Sequence, residues 1–411
     1  MSVVTTSTPA ETTAEAAAVT PLESKQVLWL TNASHLVNHM LGQMPAVLYP
    51  AMMGDLGFGV AELGLLVAIQ NLVGNAAEVI WGFLTPFLRR TYVLAFGNVV
   101  MSIGTALTSL VGSFPALVVT RTTYSVGASV QHPIGSSLLS GYFPRRRGSV
   151  LALNSSIAAV GSLVAAPLAA LLLAVYGWRA AFVLGALAGM VMAVGYLLRP
   201  DRRAPVPAGS RRRLLAEGGA SYRRVLRNRN LIVISVVMML GAAGRTGGVN
   251  QAYLGVHFQE DLGMSLAAMG IALAVVQLGS IFGPVGFGWL SDRTSRKRVM
   301  QASLLLSALA TWWLAIQTGE RLPFLIVNLL VYGATTYSRN TLTQAVVADS
   351  ANDKDRDAAF SMYFFVGFIS APIWTLIAGL LMDRYGFGLA FSVLGFSYIA
   401  GMLVLTLLTE P

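Results

Sequence analysis

Two of the four histidines in this chain stand four residues apart in "NASHLVNHM" (32–40), inside an apolar run long enough to cross a membrane. His132 lies in another such run, and Arg121, Arg245 and Arg339 lie in runs of the same kind. Ionisable side chains in hydrocarbon are costly and mark substrate or proton paths. An arginine keeps its proton at accessible pH, so each one buried in a membrane needs a counter-charge. Glu78 is the main carboxylate in these runs. Three arginines against one carboxylate leave positive potential, and an anionic substrate is its natural partner.

The histidines admit three chemistries. As proton carriers, their ordinary pKa of about 6.5 suits coupling to a modest pH gradient. As metal ligands, His35 and His39 share a helix face, with Met40 and Met44 nearby to suit a soft or borderline ion such as copper. The arginines would oppose any such cation, so no metal and no cofactor is expected. As hydrogen-bond donors, the rings would orient Asn38 and Glu78. His132 also precedes Pro133 and could satisfy carbonyls freed by a kink.

The elements that must position these groups follow from composition. Of 411 residues, 55% are hydrophobic and only 11% charged, with a mean hydropathy of +0.66. A soluble domain carries about 25% charged residues, so this is a membrane protein. Cysteine is absent, which excludes disulfides and thiolate chemistry. The net charge of +10 is not a nucleic-acid signal, because the arginines cluster in short segments between apolar runs. No phosphate-cradling Gly-x-x-x-x-Gly-Lys loop occurs, and nothing points to an enzyme.

Apolar segments of about 20 residues, the length that crosses a bilayer, fall near 27–53, 61–84, 91–111, 115–142, 149–174, 178–198, 230–257, 265–290, 298–317, 322–348, 358–382 and 387–408. An all-α membrane protein of twelve transmembrane helices is predicted. Residues 1–24 read as a disordered cytosolic tail, 25–198 and 230–411 as two six-helix halves, and 199–229, with ten arginines, as a basic linker. "RRTY", "PRRRG", the linker and "DRTSRKR" fall on one side, which places both termini in the cytosol. "DSANDKDRD" (349–357) is acidic on that same side, but acids contribute little to orientation.

An offset of 206 aligns "DLGFGVAELG" (55–64) with "DLGMSLAAMG" (261–270) and places His39 on Arg245. "YGWRAAF" (176–182) matches "YGFGLAF" (385–391) at an offset of 209. Parallel repeats of this kind imply a cavity at the interface of the halves. Helical geometry gives each segment one wet face. Asn32, His35, His39 and Gln43 span about 80°, and Arg121, Ser125, His132 and Ser136 about 60°. Tyr332, Thr335, Arg339 and Thr343 repeat the pattern in segment 10, and segment 2 adds Asn71, Asn75 and Glu78.

"GWLSDRTSRKR" (288–298) is similar to the Gly-x-x-x-Asp-Arg-x-x-Arg/Lys signature of the major facilitator superfamily. Gly288 should let two helices approach closely, while Asp292, Arg293 and Arg296 would form a gate. In the first half Pro86 stands where Asp292 has its repeat partner. Arg121 with Gly127 and "AVGSLVAAPLAA" (159–170) resemble further signatures of that superfamily. "SHLVNH" (34–39) and "GASVQHPIGSS" (127–137) resemble its fosmidomycin-resistance efflux group, with His39 in place of an acid.

The resemblance implies the major facilitator fold, with segments 1, 4, 7 and 10 lining the path, and the ionisable residues of the sequence fall on all four. The expectation is a proton-coupled secondary transporter of a small carboxylate or phosphonate in the bacterial inner membrane, a monomer surrounded by lipid. Arg121, Arg245, Arg339, Asn38 and Tyr332 would bind substrate. His35, His39, Glu78 and His132 would exchange protons. Export is favoured by the resemblance alone; import by proton symport, multidrug efflux and a non-transporting sensor are the alternatives.

Overall fold

In a computed structural model of the chain, residues 20–84, 88–143, 146–199, 223–240, 252–317, 322–352 and 355–409 are described, and all their regular elements are helical. Most of the 1–24 tail, most of the linker, Pro86 and Arg245 lie outside these residues. The helices form twelve spans. In the first half they are α1 (Pro21–Gln43 and Pro45–Leu56), α2 (Val60–Leu84), α3 (Arg90–Thr108), α4 (Phe114–Ala128 and Gln131–Tyr142), and α5 and α6 within the run Arg147–Leu197. In the second they are α7 (Arg229–Leu240, then Leu254–Val256 and His257–Asp261), α8 (Leu266–Arg293), α9 (Arg296–Ile316), α10 (Leu322–Ser350), and α11 and α12 within Arg356–Val404. Leu153–Leu197 and Met362–Leu407 each hold enough apolar helix for two crossings.

Local chemistry explains the ends. α1 starts at Pro21, ahead of the apolar run, because Thr20 and Glu23 form a reciprocal capping box there. Its break at Met44 precedes Pro45, which has no N–H to continue the ladder. The α5–α6 and α11–α12 corners turn at Gly177 (φ 79°) and Gly386 (φ 81°), a region that favours glycine. These corners lie 209 residues apart, and the left-handed caps Gly57 and Gly263 lie 206 apart. Both sequence offsets are therefore present in the backbone.

The halves meet at the end of the bundle that holds these glycines. Gly64 of α2 lies against Gly379 of α11: a Cβ on Gly64 would come 3.3 Å from the Gly379 Cα. The repeat partner of this pair, Gly270 of α8 and Ala170 of α5, is as tight, with 3.0 Å between an added Cβ and the Ala170 methyl. Tyr253 of α7 donates to the Thr375 carbonyl at 2.7 Å beside them. Leucine, valine and phenylalanine side chains such as Leu171, Val119, Phe282 and Val285 remain more than half exposed on the outer surface. Such a belt is the expected face toward lipid tails.

Outside the membrane, Asp55 closes the α1 end by pairing with Arg179 and accepting from the Trp178 indole at 3.2 Å. Arg179 also donates to the Val111 carbonyl at 3.2 Å, which ties three loops together. The Arg179 hydrogen bond holds the Asp55 carboxyl below its usual range.

Candidate functional site

The site begins where α5 crosses α1. Gly161 makes this crossing possible, because a Cβ there would fall 2.3 Å from the Leu36 carbonyl oxygen. The close approach sets two α5 side chains against the two α1 histidines. His35 Nδ1 lies 2.7 Å from Asn154 Oδ1, and His39 Nδ1 lies 3.1 Å from Ser162 Oγ. Asn154 Nδ2 donates to Asn32 Oδ1 at 2.8 Å, so its own Oδ1 accepts from the His35 ring. His35 therefore carries its proton on Nδ1, and its buried Nε2 has no hydrogen-bonding partner among the described residues.

α4 brings the third ring. Its two pieces join at Ser129–Val130, and His132 opens the second piece. Ring centroids are 4.7 Å apart for His35 and His39, 5.0 Å for His35 and His132, and 5.4 Å for His39 and His132, all edge to face. Burial falls from His35 through His39 to His132, which is exposed, so the cluster opens at His132. A polar layer backs it, with Ser34 donating to Gln131 at 2.9 Å and Asn98 to Ser34 at 3.2 Å. Beyond the rings a cavity of about 10 Å³ lies where Gln43, Ser162 and Gln277 approach each other from both halves.

The arginines are placed differently. Arg121 is fully buried, 4.1 Å over the Tyr124 ring and 5.6 Å from that of Phe182. None of its three guanidinium nitrogens has an acceptor in bonding geometry among the described residues. Arg339 is 2% exposed within the second half, in electrostatic range of Tyr332, Tyr363 and Tyr398. Its Nε and Nη1 likewise lack partners among the described residues. Moved along by 206 to 209 residues, His132 falls on 338–341, a window that contains Arg339. By the repeat, an imidazole in one half thus corresponds to the Arg339 guanidinium in the other.

Other expected residues are used structurally. The Asn38 amide nitrogen donates to the Ala128 carbonyl at 3.0 Å and reaches the Met101 sulfur at 3.6 Å. It ties α1 to α4 and α3, because it lies one residue off the histidine face. Tyr332 is buried inside the second half. Glu78 is half-buried on α2 and is not among the groups that converge on the rings. Gly288 is not a close-approach position: a Cβ there would meet only Thr341 Cγ2, at 4.0 Å. α8 approaches α10 one and two turns earlier, where a Cβ on Gly283 would come 2.3 Å from the Ala334 oxygen. Asp292 pairs with Arg296 at 3.0 Å, and Arg296 also reaches Asp349 at 2.5 Å, so the signature binds α8, α9 and α10. Arg293 lies 4.0 Å over the Trp289 ring instead.

Sequence reasoning missed Asn154 and Ser162. They sit eight residues apart in "NSSIAAVGS", on one face of a helix, and that spacing was the available signal.

The sequence pattern of the Major Facilitator Superfamily matches residues 32–250 and 246–411, which together take in both halves. The chain belongs to this superfamily. Within it, the chain is 24% identical over 375 residues to the probable L-galactonate transporter of Escherichia coli, covering 85% of this chain and 81% of that protein. It is 24% identical over 395 residues to a probable sulfoacetate transporter of Cupriavidus necator, with 89% and 90% covered. The fosmidomycin resistance protein of Escherichia coli is 21% identical over 384 residues, with 93% and 92% covered, so that group is one of several equally similar. Among solved members, the nucleoside transporter NupG superposes with a TM-score of 0.80 at 16% identity, covering 94% of this chain and all of that one. A bacterial homologue of the lysosomal transporter Spinster superposes with 0.78 at 16% identity, covering 94% and 95%. This major facilitator protein is a membrane transporter and not an enzyme.

Proposed function

We propose that this transporter moves a small organic anion, a carboxylate or sulfonate/phosphonate, and couples the movement to protons. The observation that carries the reading is the pair of buried guanidinium groups: all three nitrogens of Arg121, and Nε and Nη1 of Arg339, lack hydrogen-bond partners among the described residues. A buried, unpaired cation is strongly unfavourable, and an anion that binds between the halves supplies the missing charge. Galactonate, sulfoacetate and hexuronate, named for its relatives, are organic anions.

In this reading the anionic group binds Arg339 and Arg245, with Arg121 and Tyr332 contributing from their helices. His35, His39, His132 and Glu78 exchange the coupling proton. The two six-helix halves rock about the Gly64–Gly379 and Gly270–Ala170 contacts. The Asp292–Arg296–Asp349 cluster holds the other end of the second half together as it moves. The arginine-rich segments set both termini in the cytosol of a cell inner membrane, the chain acts as a monomer, and export is the favoured direction.

The test is flux in proteoliposomes under an imposed pH gradient, with labelled galactonate, sulfoacetate and a lipophilic cation as probes. Anion flux should respond to the gradient. Arg339→Ala should lower it at least about tenfold, as the loss of one charge-assisted contact implies. Normal anion flux in folded Arg339→Ala, or flux of the cation alone, would remove the anion site.

A further inference from the structure

The three-imidazole cluster has a property that anion transport does not use. One ring nitrogen from each of His35, His39 and His132 lies within 4.8 Å of the corresponding nitrogen of the other two. We propose that these rings form a binding site for a divalent transition metal of the zinc class, held by three nitrogens with a fourth position open on the exposed side of the cluster, at His132.

Four observations support the site. His35 and His39 are four residues apart on one helix, the spacing that presents two imidazoles to one ion. Their Nδ1 atoms are engaged by Asn154 and Ser162 at 2.7 and 3.1 Å, so Nε2 is the nitrogen of each ring that these two contacts leave available to an ion. Metal-binding histidines are oriented in this way, the outer nitrogen held by a hydrogen bond and the inner one left as a lone pair. His35 is only 6% exposed, yet its Nε2 has no hydrogen-bonding partner among the described residues. Finally, the exposed ring, His132, stands at the joint between the two pieces of α4 and can close the distance. Bonds of about 2.0–2.1 Å in a tetrahedron need ligand nitrogens about 3.4 Å apart, so nitrogens within 4.8 Å of one another must close by up to about 1.4 Å.

Arg121 and Arg339 oppose this less than the sequence suggests. Arg121 lies eleven residues before His132, about 16 Å along α4, with its guanidinium over the Tyr124 ring. Arg339 is buried in the other half. Three neutral nitrogens with one open position match zinc, cobalt(II), nickel or copper(II) rather than magnesium or calcium.

The chain is well suited to a direct test, since it has no cysteine and only one further histidine. That residue, His257, packs against Phe387 and Phe391 at 5.1 and 5.0 Å, far along the chain in the second half. Purified without a histidine tag, the protein should bind Zn²⁺ saturably by calorimetry. With Co²⁺ it should give the intense visible bands of four-coordinate cobalt. His35→Gln and His132→Gln should each weaken binding at least tenfold, and His257→Gln should leave it unchanged. Asn154→Ala, which removes only an outer hydrogen bond, should cost about 10–100-fold. Each variant is checked for a single gel-filtration peak and unchanged helical circular dichroism.

Absence of saturable binding in the folded wild type would overturn the site, as would unchanged affinity in folded His132→Gln. The proposal stands apart from transport: metal binding without anion flux refutes only the transport reading, and chelator-insensitive flux without metal binding refutes only the metal site.

Discussion

At the scale of single residues, the groups that could do chemistry are organised by what their neighbours leave free. His35 and His39 spend one nitrogen each on α5 and keep the other. His39→Ala should remove the response of anion flux to an imposed pH gradient while leaving counterflow without a gradient within about twofold, because exchange needs no net proton movement. Retained gradient dependence in that variant would shift coupling to Glu78. Asp55 provides a pH prediction outside the membrane. Its carboxyl is held below the usual range by the Arg179 hydrogen bond, so it stabilises the fold above the ordinary carboxylate range. That contribution is lost as the pH falls through the depressed value. Asp55→Asn should therefore lower the melting temperature in detergent at neutral pH, with the difference from wild type shrinking in acid. A constant difference across pH would show that the pair contributes no charge interaction.

At the scale of elements, small residues decide which helices touch and so which polar groups meet. α8 and α10 are in contact at Gly279 and Gly283, where added Cβ atoms would fall 2.4 and 2.3 Å from backbone oxygens, and not at Gly288. Gly288→Ala should thus change stability by no more than about 0.5 kcal/mol. Gly283→Ala should cost about 1–3 kcal/mol by forcing the helices apart. Equal effects in a thermal-shift measurement would mean that α8 and α10 do not depend on a close approach at Gly283. The sequence signature at 288–298 was legible as a polar cluster at a helix end, and Asp292 with Arg296 forms one. The role given to its glycine was not legible. Glycines at 279, 283 and 288 lie on the same helix, and only the direction of the neighbouring helix separates them.

At the scale of the whole molecule, the halves are joined at one end by two contacts that the repeat relates, Gly64 with Gly379 and Gly270 with Ala170. If rocking about this seam drives transport, locking it should stop flux. The absence of native cysteine makes the test clean. An added Cβ on Gly270 lies 3.0 Å from that of Ala170, near enough for a disulfide after a small adjustment. The double variant Ala170→Cys/Gly270→Cys should cross-link on mild oxidation, lose transport, and regain it on reduction. Full transport in the cross-linked protein would mean that this seam does not open during the cycle.

The class of molecule, the number of spans and the internal repeat all followed from the sequence. They depend on composition, on segment length against bilayer thickness and on local helical periodicity, which are properties of the chain read in order. Even the two repeat offsets of 206 and 209 reappear as pairs of left-handed glycines. The tertiary structure alone decided which polar groups meet. It joined His132 to a histidine pair some ninety residues earlier in the chain, and it supplied Asn154 and Ser162 as their orienting partners. It turned Asn38 into a strut between helices and enclosed Arg339 among tyrosines. A helical wheel gives the face on which a side chain lies, but its partner depends on which other helix packs there. That choice is made by close approaches such as Gly161 on Leu36, between segments that the sequence leaves more than a hundred residues apart.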